Sequence, residues 1–236
     1  MFFGYLMWMD VGFLAFMLPA IIFSLIAQGM VKSAYRKQQQ VRNARGITGF
    51  QAAQNMLRHH GIHDVRIEVG EGKLSDHYDP RSKTIRLSPA VYHNASVAAV
   101  CIAAHEAGHA AQHAQVYIPL KLRSAIFPVA RFGSTLAMPL VFIGLFVEFV
   151  GSDLLISLGL ALFAFFALFQ LVTLPVEFNA SRRAMKFVRE TDLLYGTELS
   201  GARKVLNAAA MTYVAALITT LVQFIRILLI SRGRRR

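Results

Sequence analysis

Four runs of apolar residues, each about as long as a bilayer is thick, constrain this chain more than any other feature. A hydrocarbon core takes about 20 apolar residues of helix. The first run covers roughly 11–30, "VGFLAFMLPAIIFSLIAQGM". It has no lysine or arginine before it and no small-residue cleavage signal, so it reads as an anchor rather than a removed signal peptide. The second and third, roughly 125–150 and 154–176, form a hairpin joined by "EFVGSD", where Glu148, Gly151 and Asp153 break the run. The fourth, about 206–230, is interrupted by Arg226. Composition agrees: 55% of residues are hydrophobic and 16% charged, against about a quarter charged in soluble domains. The expected class is a mainly α membrane protein with about four transmembrane or membrane-associated helices.

These runs divide the chain into an N-terminal anchor (1–31), a polar stretch (32–124), a transmembrane hairpin (125–176), a second polar stretch (177–205) and a C-terminal membrane helix with a basic tail (206–236). A hairpin crosses twice, so the two polar stretches fall on one side and their residues can meet. Basic residues near span ends mark the cytoplasmic side. Lys32, Arg36, Lys37, Lys121, Arg123, Arg182 and Arg183 all flank these stretches, which places both in the cytoplasm. The terminal "RGRRR" argues the other way if the fourth segment crosses fully. A net charge of +12 invites nucleic acid, yet the basic residues sit beside apolar spans. There they serve as orientation signals and contacts to anionic lipid. The expected partner is the bilayer, with no nucleic acid.

The first polar stretch reads as a small α+β domain. "ITGFQAAQNMLRHHGI" places Phe50, Ala53, Met56 and Leu57 at helical spacing, with Thr48 as N-cap and Gly61 as stop. Two short alternating runs follow, "DVRIEVG" and "KTIRLS", around the turn-rich "SDHYDPRSK". They predict a small antiparallel sheet, and then a long helix from about Ser96.

That helix carries "HEAGH", His105 to His109. Residues i and i+4 lie on one helical face about 6 Å apart along the axis. Two imidazoles can thus bind one tetrahedral zinc, at about 2.0–2.1 Å each. Glu106 points about 100° away. It can reach a water on the ion, as a general base would. HExxH also recurs by chance, and a buried helix containing histidines is the ordinary alternative. Favouring the site, no other charge lies nearby to compete for the ion, and Gly108 with its neighbouring alanines leaves room for metal and substrate. Cys101, the single cysteine, excludes an intramolecular disulfide and a cysteine cage, and reads as a small buried apolar residue.

The third ligand must come from elsewhere. His113 lies eight residues after His105, about 12 Å along a continuous helix, too far to share one ion. Glu177 is the better candidate, opening "VEFNASRRAMKF" on the side where parity puts the histidines. Its alternative role is a helix-start carboxylate facing the dipole. Ser181 shares its face, and Asn179 and Arg182 lie nearby to orient ligands or touch substrate; His113 is left to support the site or face solvent.

Three segments in order, "LSDHYDPRSKTIRLSPAVY", "AAHEAGHAAQH" and "PVEFNASRRA", with a membrane hairpin before the last, resemble the YugP-type neutral zinc metallopeptidases of bacterial membranes. The resemblance runs from about Gly46 to Met211. More distantly, "EFNAS" is similar to the ExxAD segment of HtpX-like and CAAX-prenyl peptidases, although Ser181 stands where those relatives have Asp. The resemblance implies one zinc held by His105, His109 and Glu177, with Glu106 as general base. It also implies a zincin-like (gluzincin) cytoplasmic domain in a bacterial cytoplasmic membrane. In zincins an extended substrate adds to a free strand edge, for which "KTIRLS" is the candidate. His77 or Tyr78 could then help stabilise an oxyanion; the alternative is that "DHYDP" is a turn-rich connection and no more.

The leading expectation is a membrane zinc metalloendopeptidase acting on protein or peptide substrates, membrane proteins among them. The alternative is a catalytically inactive zinc-stabilised scaffold or adaptor. A transporter is disfavoured because few ionisable residues lie within the spans.

Overall fold

The structure, a computed structural model, describes residues 13–72, 75–146 and 151–234; Glu148 of the hairpin link lies outside them. A π-turn, Phe13–Met17, leads into α1, Leu18–Gln39. Next come α2, Gly49–His59; β1, Arg66–Val69; β2, His77–Asp79; β3, Thr84–Leu87; and the short α3, Pro89–Tyr92. Helix α4, Val97–Ala114, carries the histidines. Three long helices complete the chain: α5, Ile118–Phe146; α6, Ser152–Glu190; and α7, Thr197–Arg234. Among the described residues, four helices, built on α1, α5, α6 and α7, are long and apolar enough to cross a membrane.

Two compact units divide the chain. One comprises residues 1–27, 122–174 and 212–236. Within it α5 and α6 approach through small residues, as apolar helices do where backbones must come close. A Cβ on Gly159 would stand 2.8 Å from the Ala137 carbonyl oxygen, and one on Gly133 3.1 Å from that of Leu162.

The other unit comprises residues 28–121 and 175–211, the two polar stretches. Its core joins Ala52, Ala53, Met56 and Leu57 of α2 with Ile85 and Leu87 of β3 and the alanines of α4. Ala184, Phe187 and Val188 of α6 and Ala202, Val205 and Leu206 of α7 complete it. Thr48 caps α2 in a full capping box with Gln51, and Gly61 follows with φ +66°. Phe50 stacks at the margin on Tyr92. The fourth apolar run continues through Arg226 as unbroken helix, and the third continues past Pro175 into "VEFNASRR" as one helix.

The sheet differs from the expected antiparallel one. Its order is β1-β3-β2, with β1 parallel to β3 and β2 antiparallel to it. "KTIRLS" is therefore the central strand, paired on both sides, and offers no free edge. Its residues Thr84, Ile85 and Leu87 are fully buried, as suits a central position. The edge nearer α4 belongs to β2.

Asn43 ties the segment after α1 to the start of the histidine helix. Its Nδ2 donates to the Ile47 and Ala95 carbonyls, at 2.8 Å each, and its Oδ1 accepts from Ile47 N. Ser96 then caps α4 by accepting from Ala99 N.

Candidate functional site: a two-histidine, one-glutamate cluster

Helix α4 is almost all alanine, valine and glycine apart from its polar residues, so another helix can lie directly on it. Gly108 makes that contact: a Cβ there would stand 2.9 Å from the backbone oxygen of Ala180 in α6. This corrects the expectation that Gly108 leaves room for substrate. The space is filled by the α6 backbone, and only glycine allows that approach.

The close crossing brings Glu177 to the histidines. Its Oε2 lies 3.3 Å from His105 Nε2 and 3.6 Å from His109 Nε2. One ligand atom from each of the three residues lies within 4.8 Å of the others. Bonds of about 2.0–2.1 Å in a tetrahedron put neighbouring ligands about 3.3 Å apart, so these spacings suit zinc. The donor set, two imidazole nitrogens and a carboxylate, is also the zinc type. The Glu177 side chain is only 3% exposed. Burial alone raises a carboxyl pKa, yet the hydrogen bonds and charge of His105 and His109 outweigh it and hold Glu177 well below the ordinary carboxylate range. Two imidazole nitrogens and a buried carboxylate so placed could hold one metal ion.

Each imidazole is oriented from behind. Ser181 Oγ lies 3.1 Å from His105 Nδ1, so serine in the place of aspartate still reaches the ring. On the other histidine, Gln112 Oε1 lies 3.1 Å from His109 Nδ1. The Gln112 amide nitrogen donates to the Val176 carbonyl and to Asn179 Oδ1, at 2.9 Å each. Its oxygen must therefore face the histidine. An accepting amide oxygen keeps a proton on His109 Nδ1, so a metal that displaced the Nε2 proton would meet that nitrogen's lone pair. Arg183 extends the network, donating from Nε to Asn179 Oδ1 at 2.7 Å and from Nη1 to Gln115 Oε1 at 2.6 Å.

Gln112 was missed in the sequence. Its signal was a polar residue three positions after His109, on the same side of an otherwise apolar helix. Arg183 was missed in favour of Arg182, which is exposed.

Glu106 is buried beside the cluster. Burial pushes its pKa up to about 7; His105 opposes this, while the negative charges of Glu177 and Asp76 reinforce it. His113 stands apart from the ligand cluster, its Nδ1 2.8 Å from Tyr78 Oη. The Tyr78 phenol is pushed up to about 12, chiefly by burial, with Asp64 and Asp79 adding to it. His77 is exposed, with Nδ1 2.7 Å from the Ser75 carbonyl. Cys101 is fully buried, its thiol donating to the Ala98 carbonyl and raised to about 12 mainly by burial, as an inert packing residue should be.

Residues 13–232 match a family described as "Putative neutral zinc metallopeptidase". The chain is also 43% identical over 218 residues to the "Putative membrane protease YugP" of Bacillus subtilis (strain 168), covering 92% of this chain and 96% of that one. No solved structure matches it. A family match over nearly the whole chain, together with a relative of that identity and coverage, establishes that the chain belongs to this zinc metallopeptidase family.

Proposed function

We propose that the protein is a membrane-bound zinc metalloendopeptidase whose site, built on a zincin-like (gluzincin) domain, faces the cytoplasm. One observation carries the reading. Two helices separated in sequence by an apolar hairpin place His105, His109 and Glu177 around one point, with a buried glutamate adjoining. His105, His109 and Glu177 hold one zinc. When bound, the ion polarises a peptide carbonyl and lowers the pKa of a water.

The chain's own groups do the proton work. Glu106 takes a proton from the attacking water and returns it to the leaving amine. It follows His105 directly on α4 and is buried beside the cluster, within reach of a water there. Tyr78, protonated across the working range and held on β2 by His113, is the candidate donor to a developing oxyanion. An extended peptide adds to the free edge of β2, supplying main-chain hydrogen bonds beside α4. Glu177 stands on the same continuous helix as the third apolar run, which favours substrates that are unfolded, membrane-tethered or extracted. The density of basic residues flanking the two polar stretches supports the cytoplasmic orientation.

The test is the metal content of detergent-purified protein, followed by hydrolysis of an unfolded protein substrate. About one zinc per chain is expected in wild type, His113→Ala and Glu106→Gln, and most of it is lost in Glu177→Ala. Glu106→Gln keeps its metal and loses hydrolysis. Zinc retained in Glu177→Ala but lost in His113→Ala contradicts the ligand set, and full activity in Glu106→Gln contradicts the base.

A further inference from the structure

Away from the cluster, α1 and α7 enclose a groove of about 670 Å³ within the unit formed by residues 28–121 and 175–211. Met30, Ala34 and Lys37 line one wall, and Lys204, Ala208 and Met211 the other. Each set is spaced by three or four residues, the spacing of one helical face. Gly201 of α7 faces the Gln38 side chain and Thr219 bonds Ser24, so the two helices run in opposite senses, with Lys37 and Lys204 towards one end and Met30 and Met211 towards the other. The groove is therefore amphiphilic along its length. Two ammonium groups mark one end, small residues widen the middle, and flexible apolar methionines line the other end.

No acidic residue occurs in α1. The single one in α7 is Glu198, whose carboxylate accepts from the Ala44 and Tyr195 backbone nitrogens. The groove lining itself holds both lysines and no carboxylate. Both helices pass from this basic end directly into apolar segments: α1 reaches its lysines as it leaves the first run, and α7 enters the fourth run just after Lys204.

We infer that this groove binds an anionic diacyl phospholipid, its phosphate on Lys37 and Lys204 and an acyl chain between the methionine-lined walls. Charge favours an anionic lipid over an apolar helix of a partner protein, which would leave the two lysines of the lining facing no anion. The apolar end favours a lipid over free phosphate, which has nothing to place there. Polar contact at the lysines and burial of the chain act together, as in polybasic lipid sites. The inference rests on the membrane reading and is independent of the peptidase chemistry.

The experiment uses full-length protein in detergent, stripped of lipid and titrated with dioleoyl phosphatidylglycerol, dioleoyl phosphatidylcholine or glycerol 1-phosphate. Bound lipid is counted by native mass spectrometry. Wild type should hold one phosphatidylglycerol, bind phosphatidylcholine several-fold more weakly and show no competition from glycerol phosphate. Each lysine is worth about fivefold in affinity, so Lys37→Gln with Lys204→Gln should weaken phosphatidylglycerol by about twenty-five-fold. Gly29→Leu, at a position where an added side chain meets nothing within 4 Å, projects into the groove and should displace the lipid while leaving both lysines. Zinc content of each variant reports that the rest of the fold is intact. Equal phosphatidylglycerol binding in the double-lysine variant or in Gly29→Leu overturns the assignment. So does effective competition by glycerol phosphate, or cross-linking from Gly29→Cys that captures a polypeptide in place of lipid.

Discussion

Substituting Gly108 by alanine perturbs the candidate metal site through a single methyl group that touches no ligand. The new Cβ would lie 2.9 Å from the Ala180 backbone oxygen, whereas ordinary contact begins at 3.4 Å. The obstacle is backbone, so no rotamer relieves it, and α4 and α6 must separate locally by about 0.5 Å. Ala180 is one turn from Glu177, so most of that displacement reaches the carboxylate. Metal–ligand distances tolerate about 0.2 Å. Zinc affinity should therefore fall by about 10–100-fold, the range typical when ligand positioning is disturbed. Overpacking costs about 1–3 kcal/mol, partly offset by the roughly 1 kcal/mol that alanine gains over glycine in a helix. The assay is chelator competition for zinc beside thermal unfolding. If Gly108→Ala binds zinc as wild type does and unfolds at a higher temperature than wild type, the close crossing does not position Glu177.

Gln112→Met, similar in volume but unable to hydrogen-bond, should weaken zinc binding by about 10–100-fold in the same competition assay, because His109 loses its Nδ1 acceptor; unchanged affinity would remove Gln112 from the site. It should also lower stability by about 1–3 kcal/mol, since the buried His109 Nδ1–H is left without an acceptor and Asn179 Oδ1 keeps only its Arg183 donor. Val116 ends α4 in the left-handed region, φ 57°, in the position where glycine is usual, with Val116 N bonded to the His113 carbonyl and Tyr117 N to that of Gln112. It is half exposed, so Val116→Gly relieves about 1–2 kcal/mol of backbone strain, less about 0.4–1 for glycine's greater freedom when unfolded. A small rise in melting temperature is expected, and a fall would show that the valine side chain matters more than its backbone. Asp76 has a pKa raised by burial, against the opposing hydrogen bonds from Ser88 N and Oγ. The folded state therefore holds its proton to higher pH than the unfolded one. Its contribution is fully present below the unfolded pKa and is lost as pH rises through the folded value. Asp76→Asn keeps an acceptor for Ser88 and should flatten that part of the stability–pH curve; an unchanged slope would show that Asp76 is not its source.

Residues close together in sequence carried their own structural meaning here. Thr48 and Gln51 form their capping box from side chains three residues apart, and His105 and His109 share a face because four residues make just over one helical turn. Long apolar runs become helices because a backbone in that setting must satisfy its own hydrogen bonds. Even the pairing of Glu177 with the histidines was approachable, since the parity of the hairpin left the two polar stretches on one side.

What the sequence did not disclose depends on which segment lies against which. Alternation in "DVRIEVG" and "KTIRLS" marks strands but carries no information on partner order, so the mixed β1-β3-β2 sheet and the free edge of β2 emerge only when the chain is folded. Gly108 looked like open space because an absent side chain means either a void or a neighbour's backbone, and only the Ala180 contact decides which. Gln112 and Arg183 are ordinary polar residues until α6 supplies the Val176 carbonyl and Asn179 that they bind. The candidate ligand types were thus set by local spacing within one helix and one motif. Their convergence, and the groups that hold each imidazole, were decided by a crossing of two helices that no local interaction specifies.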